Sequence, residues 1–500
     1  MALLAALILL PLGAVFWRAG GAGAPGPADW AALRFTVTQA VLSAIFSTLL
    51  AIPVARALAR RQFPGRGVLL TLLGAPFILP VIVAVLGLLA IFGRAGVVNQ
   101  AMHWLGLPGI QIYGLHGVVL AHVFFNMPLA TRLLSQGWHA IPAEHFRLAA
   151  SLRLGPREVF RFLEWPMLRA TLPGAFMVIF AICLSSFAVA LILGGGPRAT
   201  TVELAIYQAF RFDFDLGRAA LLASIQMILV GLAAVLALRL TAADGFGRGM
   251  DRALRRWEAD SNALRLTDSL VLFLAVMFLL APLTAILWRG LSGLDAMPPS
   301  VWQAARASVM IALMSTLLVM VLSLLLAHLA LTRPMVEVIS LLGIALSPLV
   351  IGTGLFLLIH PFSRPDQWAY GVTMLANALA ALPFALRAIV PALRAIDRDY
   401  GALAAGLGLT GWARLRLLVL PRLRRPLGFA AGLTAALSVG DLGVIALFAD
   451  PERATLPLQI LRLMGAYRME AAAGASLVLV VLSLGLFWLF DQAGRRDVDA

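Results

Sequence analysis

The sequence contains no lysine: all 39 of its basic residues are arginine. Phosphate-binding loops of the G-x-x-x-x-G-K-[ST] type need their lysine, so this chain is not itself a P-loop ATPase. Schiff-base chemistry is excluded for the same reason. Cysteine is almost absent. The single Cys183 lies in an apolar run, which leaves no disulfide and no thiolate metal cluster and fits small-residue packing. Charge is scarce as well, at 13% of residues against 61% hydrophobic, where an average soluble domain carries about 25% charged residues. With a mean hydropathy of +0.93, a chain of 500 residues must sit in lipid. No His-rich, Cys-rich or paired-carboxylate motif falls within the apolar runs, which argues against a membrane enzyme.

A helical span needs about 20 apolar residues, and twelve runs qualify. They lie near 2–17, 35–58, 67–92, 112–135, 172–194 and 218–238, then near 268–288, 304–332, 336–359, 368–391, 427–448 and 472–491. The fold expected is therefore all-α and polytopic. The first run is short, lacks a charge ahead of it and is followed by small residues from Gly20 to Ala24, so it could pass for a signal-peptide core. It is read here as a retained span, because removing it would break the match between the two sets of six.

Arginine placement sets the orientation, since cytoplasmic loops hold the excess positive charge. Arg60, Arg61 and Arg66 follow span two. Arg147, Arg153, Arg157, Arg161 and Arg169 follow span four, and Arg248, Arg252, Arg255 and Arg256 follow span six. Arg394, Arg398, Arg414, Arg416, Arg422, Arg424 and Arg425 follow span ten, and Arg495 and Arg496 lie near the end. Both termini and both loops that follow spans four and ten are therefore expected in the cytoplasm. The net charge of +15 reads as topology, because no loop forms a long basic and aromatic tract for nucleic acid.

The two sets of spans are repeats. Pro128 and Arg132 recur 255 residues later as Pro383 and Arg387, Ile141 as Ile396, and Arg198-Ala199-Thr200 as Arg453-Ala454-Thr455. Ser47-Thr48-Leu49-Leu50 recurs as Ser315-Thr316-Leu317-Leu318 at an offset of 268, so the first half holds 13 extra residues around Arg94 to Tyr113. The expected domains are a first repeat over 1–240, a cytoplasmic linker over 241–267 and a second repeat over 268–500. An even number of spans per half keeps the repeats parallel, about a pseudo-twofold axis along the membrane normal. The linker contains Gly245, Gly247 and Gly249 and a basic amphipathic stretch through Trp257, which reads as lying near the surface.

Two loops carry one layout. The first has Arg147, Leu148, Ala149 and Ala150, then Gly155, and ends at Glu164-Trp165-Pro166. The second has Ala402, Leu403, Ala404 and Ala405, then Gly408, and ends at Val419-Leu420-Pro421. A short helix, a turn and a Pro-terminated second helix, once per half, is expected to dock a soluble partner. Leu148, Phe160 and Phe162 in one copy, and Leu403, Leu407 and Leu415 in the other, are its expected apolar anchors in the helix-in-groove manner. Gly155 and Gly408 would permit the turn, and Pro166 and Pro421 would fit the first turn of the next membrane helix.

These loops resemble the EAA loop of permeases in binding-protein-dependent ABC importers, whose pattern is Glu-Ala-Ala, three residues, Gly, nine residues, then Ile-x-Leu-Pro. Arg147 stands where the Glu belongs, Leu148 and Ala149 fill the Ala pair, and Arg153 replaces the Gly. In the second copy Ala402 replaces the Glu, while Ala404 and Gly408 fit. Neither copy keeps the acidic residue, so its salt bridge does not carry over.

A closer resemblance covers most of the chain. The runs 77–85, 120–128, 162–166, 193–208 and 437–448, among them Leu120-Ala-His122-Val-Phe-Phe-Asn126-Met-Pro128 and Leu437-Ser-Val-Gly-Asp441-Leu-Gly-Val-Ile-Ala-Leu-Phe448, are similar to fused permeases of thiamine and thiamine pyrophosphate importers. The resemblance implies a type I ABC importer permease fold. It also implies a periplasmic binding protein that delivers substrate, and two copies of a separate ATPase subunit that use ATP. No cofactor would be bound by this chain, and no metal.

Polar residues within spans are the pathway candidates. Asp441 lies about 20 Å from the cytoplasmic end of its span at 1.5 Å per residue, and an intramembrane carboxylate is a functional hypothesis by default. Ser438 shares its face, and the repeat partner of Asp441 is Ser186, beside Ser185. A carboxylate there would suit the permanent thiazolium charge of thiamine. A structural hydrogen bond between helices is the competing reading. His122 and Asn126 sit one turn apart, and Asn377 is the repeat partner of His122; packing bonds and substrate contact stand level for them. On the outer side, Gly195 and Arg198, with Arg453 at the equivalent point, could receive acidic patches of a binding protein, or could hold lipid phosphate. Two other functions remain open: a ferric iron importer permease, which would share the loops, and a proton-coupled secondary transporter. The latter would have twelve spans but would not explain paired docking loops.

Overall fold

Within lipid an unpaired backbone N–H or C=O is costly, so apolar runs of this length form helices that satisfy their own backbone. The computed structural model describes residues 2–21, 23–74, 78–196, 199–240, 256–333, 347–448 and 453–495, and among these it contains helices and turns but no strand. The first repeat contributes α1 (Ala2–Ala19), α2 (Pro27–Arg60), α3 (Arg66–Leu72), α4 (Val81–Phe92), α5 (Val97–Trp104), α6 (Leu115–Ala140), α7 (Ala143–Ser151), α8 (Pro156–Val159), α9 (Trp165–Leu184), α10 (Ala188–Leu193), α11 (Val202–Arg211) and α12 (Leu216–Leu240). After a short 3-10 turn at Trp257–Ala259 come α13 (Asn262–Ser292), α14 (Ser300–Ala330), α15 (Pro348–Ile359), α16 (Ala369–Gly406), α17 (Gly411–Arg414), α18 (Leu420–Val439), α19 (Gly443–Phe448), α20 (Leu456–Gly465) and α21 (Met469–Arg495).

Ten helical runs among the described residues are long and apolar enough to cross a membrane. Two of the twelve expected spans are described only in part over their length: in α1 the side chains are described over Ala6–Ala19, and of the run near 336–359 the described part is α15. Three expected spans are also not single helices. The run 67–92 divides into α3 and α4, with Pro80 capping the second. The runs 172–194 and 427–448 break at 185–187 and 440–442. The 13-residue insertion folds as α5 and a return, held by Asn99, whose Nδ2 donates to the carbonyls of Gly93 and Ile110 while its Oδ1 accepts the Ile110 N–H.

Helix packing follows small residues, as it does where lipid removes the hydrophobic drive between helices. In α2, Ala40, Ala44, Ser47, Ala51, Ala55 and Leu58 form the buried face, whereas Ile45, Phe46, Leu49 and Leu50 face outward. Its repeat counterpart α14 buries Ser308, Ala312, Ser315, Val319 and Ser323 and turns Met314, Leu317 and Val321 outward. The helices pack across the middle of the chain: α4 packs against α13 and α21, and α15 against α1 and α12. Gly87 makes the packing of α4 on α13 possible, since a Cβ there would lie 2.6 Å from the Pro282 carbonyl.

The same device seats α11 and α20. The Thr36 hydroxyl accepts the Val202 N–H at 2.8 Å, and the Ser308 hydroxyl accepts the Leu456 N–H at 2.8 Å. These bonds fix each helix N-terminus against the long helix of its own repeat.

Candidate functional site

The two loops lie at one end of the bundle. The start of α2 is tied to the start of α12 by Arg218 and Asp29 at 2.8 Å, and the end of α2 to the first loop by Arg56 and Glu164 at 2.7 Å. At 1.5 Å per residue these anchor points stand about 40 Å apart.

Within each loop the backbone repeats as closely as the sequence. Arg153 and Gly408, 255 residues apart, both adopt left-handed conformations, with φ of 50° and 66°. Glycine takes that conformation freely, whereas arginine is strained there. The turn residue of the first loop is therefore Arg153. Gly155, expected to make the turn, instead has φ −77° and ψ 176° as the N-cap of α8, an extended conformation open to any residue. The second helix of each loop is not separate from the membrane helix. In each loop it continues through one π-turn, Phe160–Glu164 and Leu415–Val419, directly into α9 and α18. Pro166 and Pro421 follow each π-turn, at the first turn of α9 and α18.

This register decides which anchors point outward. Leu148 and Leu403 are exposed, as are Phe162 and Leu407, while Ala149 and Ala404 are buried beneath them and Arg147 and Ala405 stand exposed; Ala150 is half-buried. Phe160 and Leu415, repeat equivalents, turn inward instead: Phe160 meets Trp165 at a tilt of 41° and lies under the Arg56 guanidinium at 4.8 Å, and Leu415 packs on the core. Leu152, Trp412 and Leu417 are exposed additions that the sequence reading did not name. Leu152 and Leu417 carry a recoverable signal, because their equivalents Leu407 and Phe162 were already named.

The loops are held differently. Glu164 is fully buried, with Arg56 at 2.7 Å, Arg256 at 2.7 Å and Arg60 at 3.9 Å. The Arg256 Nε also donates to Glu258 at 2.5 Å, and its guanidinium lies 3.8 Å from the Phe146 ring centroid. In the second loop Val419 occupies the place of Glu164. There Arg422 covers the Tyr400 ring at 3.6 Å, and Arg414 pairs with Asp397. Nothing in the spacing of Glu164 pointed to a cluster whose members lie 92 to 108 residues away.

The intramembrane candidates gather at the helix breaks. His122 is buried between Ser43 (Nδ1 to Oγ, 3.0 Å) and Ser186 (Nε2 to Oγ, 2.6 Å), tying α2, α6 and the α9–α10 break together. Asn126 donates to the His122 carbonyl at 2.9 Å and to Cys183 Sγ at 3.3 Å. Ser185 caps the C-terminus of α9. In the second repeat Asn377 donates to the Ser438 hydroxyl at 2.9 Å, just before the α18–α19 break. The contacts of His122 and Asn377 are ties between helices, and Asn126 divides its bonds between its own helix and α9. Asp441 differs. Its Oδ1 accepts the Gly443 N–H at 3.3 Å, but its Oδ2 is enclosed with no hydrogen-bond partner among the described residues. Gly440 packs on Pro80 of the first repeat, 3.0 Å from where its Cβ would stand, so the Asp441 break meets the other repeat. Glu203, buried in the first turn of α11 and 3.5 Å from Gln226, is a further buried carboxylate that the sequence reading passed over. It lies between two predicted spans, where no helix was expected.

On the opposite face, Gly195 and Gly196 are left-handed, with φ of 74° and 125°; Arg198 lies outside the described residues. Arg453 donates to the Asp366 carbonyl at 2.9 Å, so its charge is partly engaged by the chain itself.

A membrane bundle with two repeated loops at one end defines the class: a multi-pass permease, the inner-membrane component of an ABC transporter. A family model described as the inner membrane component of binding-protein-dependent transport systems matches residues 319–496. Over its whole length the chain is 41% identical to the thiamine transport system permease protein ThiP of Brucella abortus (strain 2308), of which it covers 95%. It is 40% identical to the proteins of that name from Escherichia coli (strain K12), over 94% of this chain and 90% of that one, and from Salmonella typhimurium, over 93% and 89%. The chain belongs to this family of transport permeases. Such proteins are not enzymes, and ATP hydrolysis resides on a separate subunit.

Proposed function

We propose that this chain passes thiamine or thiamine pyrophosphate from a periplasmic binding protein to the cytoplasm, driven by two copies of a separate ATPase subunit that dock on the two loops. The observation that carries the docking half of this reading is the paired left-handed turn at Arg153 and Gly408 followed by paired π-turns. Two sequences that diverge at the turn residue keep one backbone, and a docking surface is selected on shape. Exposed Leu148, Leu403 and Leu407 with Phe162 supply the anchors; Arg147, Ala149, Ala150, Ala404 and Ala405 frame them. The substrate half rests on identity of about 40% to thiamine permeases over nearly the whole chain.

In this reading both termini and both loops face the cytoplasm, the chain binds no cofactor, and ATP is consumed by the partner. Residues 1–240 and 268–500 act as the two repeats, joined by 241–267. The Asp441 carboxylate, with an oxygen left unbonded at the break between helices, is the pathway residue that would meet the thiazolium cation. His122, Asn126, Ser185, Ser186, Asn377 and Ser438 shape the breaks around it. Gly195 and Arg453, with Arg198, would form the mouth that meets the binding protein.

Uptake of labelled thiamine into proteoliposomes holding the chain, the ATPase and the loaded binding protein tests the reading. ATP-dependent accumulation is expected, with Asp441→Asn reducing it about tenfold or more, the scale of a lost charge contact. Absence of thiamine uptake in a complex that hydrolyses ATP in response to another solute would overturn the substrate.

A further inference from the structure

The segment between the repeats reaches the first loop and adds to its surface. Arg256 is drawn into the interior by Glu164, Glu258 and the Phe146 ring, with only 4% of its side chain exposed. Charges placed out of water are costly unless paired, and Arg256, Glu164 and Glu258, each at most 8% exposed, pair with one another, so the arrangement fixes the residues that carry them. The residue that follows, Trp257, is half exposed. Together with Arg147, Ala150 and Arg153 of the loop, and with Glu258, it borders an open recess of about 610 Å³. Arg147 and Arg153 stand exposed at that recess. The second loop has Val419 in place of Glu164, so it lacks the carboxylate on which such a strap could be pinned.

We propose that Trp257 is one wall of the ATPase seat on the first repeat, held there by Arg256, and that the recess receives an apolar ATPase side chain flanked by acidic ones. This rests on the docking role of the loops. The occupant is argued from two features of the recess. It is continuous with the docking loop, and its Arg147 and Arg153 rim complements acidic groups. A tryptophan in a partly enclosed site is also the side chain that most often dominates a protein interface. The two ATPase copies therefore meet unlike seats, one built from loop and linker and one from loop alone.

The test titrates the purified ATPase subunit against the full chain in nanodiscs of zwitterionic lipid, for wild type, Trp257→Ala and, as a control on the other seat, Leu403→Asp. Trp257→Ala should weaken one of two binding events about tenfold, leave the other unchanged and leave the melting temperature of the permease alone unchanged. Arg256→Gln should weaken the same binding event to a smaller degree, and it should also lower the melting temperature because it breaks a buried ion pair. Wild-type binding by Trp257→Ala alongside weakened binding by Leu403→Asp would overturn the proposal and leave the docking role standing. Wild-type binding by both variants would overturn the docking role itself. Restoration of Trp257→Ala only by anionic lipid would make Trp257 a membrane-surface residue and also overturn the proposal.

Discussion

The two loops share a sequence layout, a left-handed turn and a π-turn, yet they are built into the protein in different ways. In the first, Ile141-Pro142 interrupts the chain, since the residue before a proline is driven out of the helical region, and α7 is separate from α6. In the second, Ile396 is followed by Asp397, nothing stops the helix, and α16 runs for 38 residues through the matching loop segment itself. A loop that is an extension of a membrane helix needs little else to hold it. A loop cut free by a proline must be held from outside, and here the buried Glu164 cluster does so. Equivalent surfaces can thus rest on unequal foundations, and the acidic residue missing from the usual loop position is not the one that holds either copy.

The sharpest way to break this contrast is to remove its foundations one at a time. Glu164→Ala leaves Arg56, Arg60 and Arg256 facing one another without their shared carboxylate, and removing one partner of a buried ion pair costs about 3–5 kcal/mol. Val419→Ala at the matching place removes two methyl groups, about 1–2 kcal/mol. Thermal denaturation of the purified variants should rank them in that order; equal losses would erase the distinction.

Next in size is the turn. Gly408→Ala forces a side chain into the left-handed region and should cost about 1–2 kcal/mol. Arg153→Gly relieves the same strain and should stabilise by up to about 1 kcal/mol. Opposite signs in chemical denaturation are expected, and matching signs would mean the two turns are not equivalent.

A smaller effect belongs to Arg422 and Tyr400. A double-mutant cycle across this partly exposed pair should return a coupling of about 0.5–1 kcal/mol. The smallest effect is that of salt. The Arg414 and Asp397 side chains are 30% and 44% exposed, so their pairing is worth at most about 1 kcal/mol and weakens as ionic strength rises. Hydrogen exchange over 397–414 should quicken in high salt while exchange over 143–164, pinned by buried charge, stays unchanged.

Much of this was legible in the sequence because it was written twice. The loops, the repeat offset and the exposed Leu148 and Leu403 follow from matching one half to the other. The breaks at 185–187 and 440–442 were not legible: Ser185-Ser186-Phe187 and Gly440-Asp441-Leu442 contain no proline and interrupt hydropathy too briefly to end a run. Tertiary ties at His122, Asn377 and Pro80 hold these breaks, and a one-dimensional pattern does not carry them. The inward turn of Phe160 and Leu415 also escaped, because what draws them in, the Arg56 guanidinium for one and the core for the other, is set by tertiary packing. Glu164 was visible as an acid in a basic loop, but its value lies in partners from α2 and from the linker.

Both loops as ATPase seats on one face is the claim on which the rest depends. Cys183, the single cysteine, is buried, so a thiol introduced at Leu148→Cys or Leu403→Cys would be the reactive one. A photo-crosslinker attached at either position, followed by illumination in membranes that contain the ATPase, measures contact directly. Covalent permease–ATPase adducts from both positions, each protected from membrane-impermeant thiol reagents added outside intact cells, are the expected result. Labelling of either position from outside, or adducts from neither, would contradict the account.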